Sequence, residues 1–396
     1  MATPENSALK QEVHAAEEDQ SPLESALVAT IETRIADMMR DRQLPGFAIG
    51  IVKDGTLAYA QGFGVVSVGS QKPVTPTSIF LMGSMSKAFT ATAIMQRVEA
   101  GQIRLDAPVT DYLPYFQLAD ARYHDILIHH LLTHTSGLAF WPPYDFENVL
   151  GYWNTTAPTF DDAALERYVR SLRDPTLPFA PGHGYAYSDV GYNVLGDVIA
   201  KVSDQPFEDY IQEHILTPLG MQNSTFLLRE VDQDLLVRPH HLDERSVPIE
   251  SHIFPYTRSQ APCGYLFSNV EDMARWAMVN LNRGVLHGTR ILAEASYAVI
   301  WAAQVAPTLI DPSGGATHAY GFGWDIDHLG AHPIVRHAGG DLGYQSFILL
   351  APDDATAVVT MGNRLDTFTE PFYAVDIGTT VVKLLLGDEH AGGARG

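Results

Sequence analysis

Ser84 and Lys87 lie three residues apart in the stretch Gly83-Ser84-Met85-Ser86-Lys87. A hydroxyl and an amine at that spacing can make a nucleophile. A serine hydroxyl attacks poorly until a neighbouring base draws on its proton. Residues three apart on a helix share a face. The run after Lys87 reads as a helix, with apolar residues at 85, 88, 89, 91, 94, 95 and 98 and a stop at Gly101. A serine at its first turn meets unpaired backbone N–H groups and the positive end of the dipole. A lysine held on the buried face is expected to lose proton affinity by desolvation, which would make it the base. Ser-x-x-Lys alone equally fits a capping serine beside a solvated lysine, so the chemistry needs further parts.

Two other stretches offer them. Tyr185-Ala186-Tyr187-Ser188-Asp189 stands just before an apolar helical run. A tyrosine hydroxyl beside a lysine has its pKa lowered by the charge and can relay a serine proton. Ser188 or Asp189 there also fits a plain N-cap. Arg336-His337-Ala338-Gly339-Gly340 ends a strand-like run. Its glycines allow close backbone approach, and a strand N–H with the Ser84 N–H could make an oxyanion hole. A glycine bulge with a hydrogen-bonded histidine is the plainer alternative.

Something must carry these segments to one place. Ser21-Pro22-Leu23-Glu24 reads as a capping box, and the helix after it should run to about residue 41. Asp54-Gly55 joins two apolar runs as a β-hairpin. Strand signals return at Tyr320 to Ile326, Ile334 to His337, Gln345 to Leu350 and Ala357 to Met361, and a helix is expected at about 370–387. The middle reads as helical: a helix opened by Leu105-Asp106-Ala107-Pro108, another from Asp125 to Leu132, and more at about 161–173, 191–203, 207–216 and 270–282. The expected fold class is α+β: an antiparallel sheet built from both chain ends and flanked by helices, with a mainly helical inserted lobe. The division is a flexible acidic tail at 1–20, an α/β lobe at 21–103 and 264–396, and the helical lobe at 104–263. The ligand cleft is expected between the lobes.

With these parts in view, the chain resembles the serine hydrolases of the class C β-lactamase and penicillin-binding-protein superfamily. In motif it is closest to the family VIII carboxylesterases. Ser84-x-x-Lys87, Tyr187-Ser188-Asp189 and His337-Ala338-Gly339-Gly340 match in order, with Leu105 to Pro108, His130 to Leu138 and Asp272 to Arg275 as accessory stretches. The resemblance covers nearly everything from about residue 25 onward. It implies a β-lactamase/transpeptidase-like fold, Ser84 as acylated nucleophile, Lys87 and Tyr187 as the proton-handling pair, and the N–H groups of Ser84 and Gly340 as oxyanion hole. It implies substrate contacts from Asp189, His337, Ala338 and Gly339; Trp141 and Tyr144, in an aromatic loop, join them as pocket candidates.

Two departures shape the expected substrate. Asp189 stands where lactamase-like members have asparagine, and His-Ala-Gly replaces Lys-Thr-Gly. A fixed cation for a substrate carboxylate is missing, and a histidine is neutral much of the time near pH 7. Cleavage of short neutral carboxylic esters through an acyl-serine is therefore expected. The readings that stay open are a β-lactamase or D-amino-acid peptidase or amidase, an acyltransferase using the same acyl-enzyme, and a catalytically silent binding protein on this fold. A lysine at 337 is expected to improve anionic substrates.

Composition excludes other classes. The net charge of −22 argues against nucleic acid or anionic membrane as partners. The single cysteine, Cys263, rules out a disulfide framework and a cysteine-built metal site. His130-x-x-x-His134 lacks the glutamate of a zinc-protease motif and is expected to order a loop. No cofactor and no metal are expected. The acidic start has no signal-peptide pattern, so a cytoplasmic location is expected, and the oligomeric state stays open.

Overall fold

A computed structural model describes residues 23–138, 157–173, 176–310 and 318–387. The acidic tail, Ser21, Pro22, Trp141 and Tyr144 lie outside the described residues. The first helix, α1, is Ser25–Asp41, with Glu24 at its N-cap and no side-chain capping bond, so the expected capping box is not what starts it. Strands β1 (Gly46–Lys53) and β2 (Thr56–Gly64) follow. Asp54 and Gly55 both have positive φ, 51° and 77°, as the tight hairpin requires.

Five strands from the C-terminal third complete one sheet: β3 (Ala319–Tyr320), β4 (Asp325–Leu329), β5 (His332–Asp341), β6 (Tyr344–Ala351) and β7 (Thr356–Gly362). The order is β2-β1-β7-β6-β5-β4-β3, antiparallel throughout. β1 and β7 pair from Phe47 with Gly362 to Lys53 with Thr356, which joins the two chain ends. The sheet expected from both termini is thus present, and the fold is the α+β arrangement read from the sequence. The run at Tyr320 to Ile326 is two short strands instead of one, because Gly323 takes φ +74° between them.

Strand alternation sorts the core. Phe47, Ile49 and Ile51 point to one face with Phe347, Leu349 and Val358. There they pack on Ile31 and Ile35 of α1 and on Ile377 and Val381 of the last helix, α5 (Tyr373–Leu386). Ala48 and Val52 point the other way with Ile348, Leu350 and Val359. That face is covered by α4 (Val270–Leu281), whose N-cap Asn269 accepts from the Asp272 N–H. Gly50 is the point of closest approach: a β-carbon there would come within 3.2 Å of Val270.

The helix that follows the Ser84 turn, α2 (Ser86–Glu99), is buried over its first ten residues. It packs on α3 (Asp189–Ser203) and on the short helix Ala261–Gly264. The helix expected from Leu105 is only the single 3-10 turn Val109–Asp111, since Pro108 and Pro114 leave too few residues for more. The helix expected from Asp125 is likewise split, into a 3-10 segment at Ala121–Asp125 and a five-residue helix at Ile128–Leu132.

Candidate active site

Ser84 sits in a 3-10 turn, Gly83–Met85, that runs straight into α2. The turn is pinned from below. The Ser86 hydroxyl donates to the Gly83 carbonyl at 2.7 Å and accepts from the Leu266 N–H at 3.0 Å. The Met82 N–H donates to the Leu266 carbonyl at 2.8 Å, and Ser346 on β6 donates its hydroxyl to the Met82 carbonyl at 2.7 Å. The end of β5 lies against the turn. Gly83 has φ +53°, and a β-carbon on it would come within 2.6 Å of the Gly340 nitrogen. One on Gly339 would meet the Met82 carbonyl oxygen at 2.0 Å. Glycine at both places lets the strand edge and the nucleophile turn touch, which puts the Gly340 amide beside Ser84.

Lys87 is fully buried one turn on. Its Nζ donates to Ser84 Oγ at 3.0 Å and to the Cys263 carbonyl at 2.8 Å, and it lies 2.6 Å from Asp189 Oδ1. The Tyr187 side chain hydrogen-bonds both Ser84 and Lys87, and Lys87 Nζ stands 4.9 Å from the centre of its ring. Ser84, Lys87, Tyr187 and Asp189, scattered over a hundred residues, therefore meet at one point. Tyr185, the neighbouring tyrosine, instead lies edge-on to the His134 ring.

The charge state of Lys87 differs from the sequence expectation. Burial does pull its pKa down, and is the largest single effect. The Asp189 carboxylate, with Tyr187 and Cys263 behind it, outweighs that pull, and the net direction is up. The ammonium is retained because its desolvation is offset by a partner at contact distance. Tyr187 goes the same way: burial raises its hydroxyl, Lys87 draws it back, and it ends pushed up to about 12. At rest the site holds an ammonium and a neutral phenol beside Asp189.

Asp189 is released for this contact by its neighbour. Ser188 is the N-cap of α3, its hydroxyl accepting from the Gly191 N–H at 3.0 Å. Asp189 is then in the first turn, where the helix dipole favours a carboxylate. Its 6% exposure and its closeness to Lys87 make it a partner of the lysine before it is a contact for substrate.

His337 also turns inward from the substrate side. It is 5% exposed, its Nδ1 lies 2.6 Å from the Ala338 carbonyl, and its Nε2 lies 3.4 Å from Tyr320 Oη. Tyr320 Oη is in turn 3.1 Å from His134 Nε2, and His134 Nδ1 accepts from the Ser188 N–H at 3.0 Å. That backbone donor fixes the direction of the whole chain. His134 must carry its proton on Nε2 and give it to Tyr320, Tyr320 gives to His337 Nε2, and His337 donates from Nδ1 to Ala338. The His134 ring also lies over Tyr187, with centres 4.2 Å apart at 33°. His134 thus orders the loop as expected, while His130 accepts from the Leu127 N–H at 3.2 Å. Tyr320 and the Cys263 carbonyl went unnoticed in the sequence. The first stands in a strand signal with no motif around it, and the second is a main-chain atom that no residue type announces. Tyr256, 3% exposed, donates its hydroxyl to the Phe226 carbonyl at 3.2 Å and serves packing.

His134 and His337, the two histidines of this hydrogen-bonded series, are neutral. Burial first, and then the Lys87 charge, lowers His337 to about 3 and takes His134 well below its ordinary value. The sign of the consequence follows. Below about pH 6.5 the unfolded chain binds a proton that folded His337 refuses, so stability is lost as pH falls from there toward 3. Replacing His337 with glutamine should flatten the fall by ~1.4 kcal/mol per pH unit between pH 6 and 4. Urea titrations of both proteins across that range measure it. Parallel slopes would mean that His337 is protonated in the fold.

The sequence pattern of the Beta-lactamase family matches residues 31–376. Penicillin-binding protein 4 of Amycolatopsis lactamdurans is 30% identical over 335 residues, 84% of each chain. Esterase EstB of Burkholderia gladioli is 31% identical over 220 residues, 55% of each chain. Among solved structures, the octameric penicillin-binding protein homologue from Pyrococcus abyssi superposes with a TM-score of 0.76 at 29% identity, over 91% of this chain and 77% of its own.

Proposed function

The chain belongs to the Beta-lactamase family and has the fold of its hydrolases, and from that premise we propose that it is a serine hydrolase of short neutral carboxylic esters, working through an acyl-serine. The observation that carries the reading is the 3.0 Å contact of Lys87 Nζ with Ser84 Oγ, at a turn backed by the Gly340 amide. Ser84 attacks the ester carbonyl. Lys87 and Tyr187 handle the serine proton and return it to the departing alcohol. The N–H groups of Ser84 and Gly340 hold the oxyanion; removing one such donor costs roughly 3–4 kcal/mol in other hydrolases. Water then releases the acid.

The neutral ester is preferred over an anionic substrate because the cation at the nucleophile, Lys87, is already paired with Asp189 at 2.6 Å. A relative named as an esterase, similar over 55% of the chain, supports the same choice. The named penicillin-binding relative keeps a β-lactam or D-peptide substrate as the second reading. The partner is a small molecule, and none of the described helices is long and apolar enough to cross a membrane.

Labelling with a fluorophosphonate tests the reading. One equivalent should add to the peptide that holds Ser84, and the label should be absent from Ser84→Ala. An unlabelled or non-stoichiometrically labelled protein would favour a catalytically silent binder.

A further inference from the structure

A lysine that is an ammonium at rest cannot accept the proton of the serine it touches. Around its Nζ stand Ser84 Oγ at 3.0 Å, the Cys263 carbonyl at 2.8 Å, Asp189 Oδ1 at 2.6 Å and the Tyr187 hydroxyl. Of these, the carbonyl holds a proton poorly, the serine is the donor in question and Tyr187 already carries its own proton. The carboxylate is left. Asp189 Oδ1 is buried and makes no well-aligned hydrogen bond, although it sits within charge-assisted distance of Nζ. It is close enough to receive a proton and, among the described residues, has no competing donor at that oxygen.

The geometry points to Asp189 as the final acceptor of the Ser84 proton during acylation, with Lys87 as the relay between them. This rests on the acyl-serine reading above. In the step, the Oγ–H bond of Ser84 breaks and its electron pair forms the bond to the ester carbonyl carbon. The carbonyl π pair moves onto oxygen. One Nζ–H bond of Lys87 breaks, its proton going to Asp189 Oδ1 and its electron pair staying on nitrogen. In the same activated step that lone pair takes the serine proton, directly or through the Tyr187 hydroxyl. Lys87 ends the step an ammonium again, and Asp189 a carboxylic acid. On collapse the alcohol's oxygen leaves with the bond pair and takes a proton from Lys87 or Tyr187, and Asp189 restores the ammonium. No proton is gained or lost overall.

The groups around the carboxylate are Lys87 from α2, Tyr187 from the loop before α3, and the Cys263 thiol from the short helix at Ala261–Gly264. Asp341 on β5 lies beyond the thiol, and His134 and His337 lie beyond Lys87. Both histidines are neutral, so Lys87 is the cation that faces Asp189 at contact distance.

Asp189→Asn removes the acceptor while keeping the shape. Lys87 must then be neutral before it can act. The burst of p-nitrophenol from p-nitrophenyl butyrate should slow at least ~100-fold at pH 7 and recover about tenfold per pH unit up to pH 9, while the wild-type burst stays flat over that range. Asp189→Glu should keep the flat profile. A burst in Asp189→Asn that is flat and within threefold of wild type would overturn the relay. So would one lost at every pH with native melting behaviour, since a positioning role would explain that. Should the asparagine protein not fold, deuterium inventories on the wild-type burst decide: two protons in flight give a bowed plot, and a straight one overturns the idea. A burst that survives Ser84→Ala would instead sink the acyl-serine reading itself, an outcome separate from these.

Discussion

Ser84→Ala should lower kcat for p-nitrophenyl butyrate by at least ~10⁴-fold, about 5.5 kcal/mol, with little change in KM. The reason is local. The turn at Gly83–Met85 is held by Ser86, Leu266 and Ser346, none of which needs the Ser84 hydroxyl. The alanine protein should therefore keep its fold and its Gly340 amide, and lose only the atom that forms the bond. Lys87→Ala should cost nearly as much, because Tyr187 is pushed up to about 12 and cannot take the proton alone near neutral pH. It should also lower the melting temperature, since it strands Asp189 without its ion partner. The double substitution should be no slower than Ser84→Ala alone, as expected of residues that act as a unit. Steady-state kinetics of the three variants measure this. A Ser84→Ala protein that retains more than a few per cent of the activity would place the nucleophile elsewhere.

The sequence made parts of this legible and hid others for physical reasons. Helix periodicity and the Asp54-Gly55 turn are local signals, so α1, α2 and the first hairpin could be read directly. The sheet joining both chain ends followed from where the strand signals clustered, although the pairing of β1 with β7 spans about three hundred residues. The meeting of Ser84, Lys87 and Tyr187 was readable through motif order alone. The charge on Lys87 was not. Desolvation can be guessed from a buried helix face, but the sign of the net shift depends on Asp189 at 2.6 Å, a distance that no spacing encodes. The orientation of His337 was hidden in the same way. Strand alternation places it on a face, and only the chain through Tyr320 and His134 shows that both its nitrogens are engaged inside.

Short neutral esters should be turned over at least ~10²-fold faster than nitrocefin or benzylpenicillin in kcat/KM, a gap of ~2.7 kcal/mol in transition-state terms. A β-lactam brings a carboxylate, and binding it well calls for a permanent cation or aligned donors at the strand edge. Here that edge offers a buried neutral His337 and two glycines, while Ala338, expected as a substrate contact, packs its methyl group on the α1 and α5 face of the sheet. The one ammonium at the centre is matched by Asp189, so an incoming anion meets little net attraction and a nearby like charge. A neutral ester needs only the nucleophile, the oxyanion donors and room for its acyl chain. The expected rescue by His337→Lys has to be corrected on this geometry. A lysine there would replace a ring that accepts from Tyr320 and would point a second ammonium toward Lys87, so loss of stability should precede any gain in lactam turnover. Parallel kinetics on the two substrate classes decide the matter. Equal efficiency in the unmodified protein would show that the missing strand-edge cation is not what sets the preference.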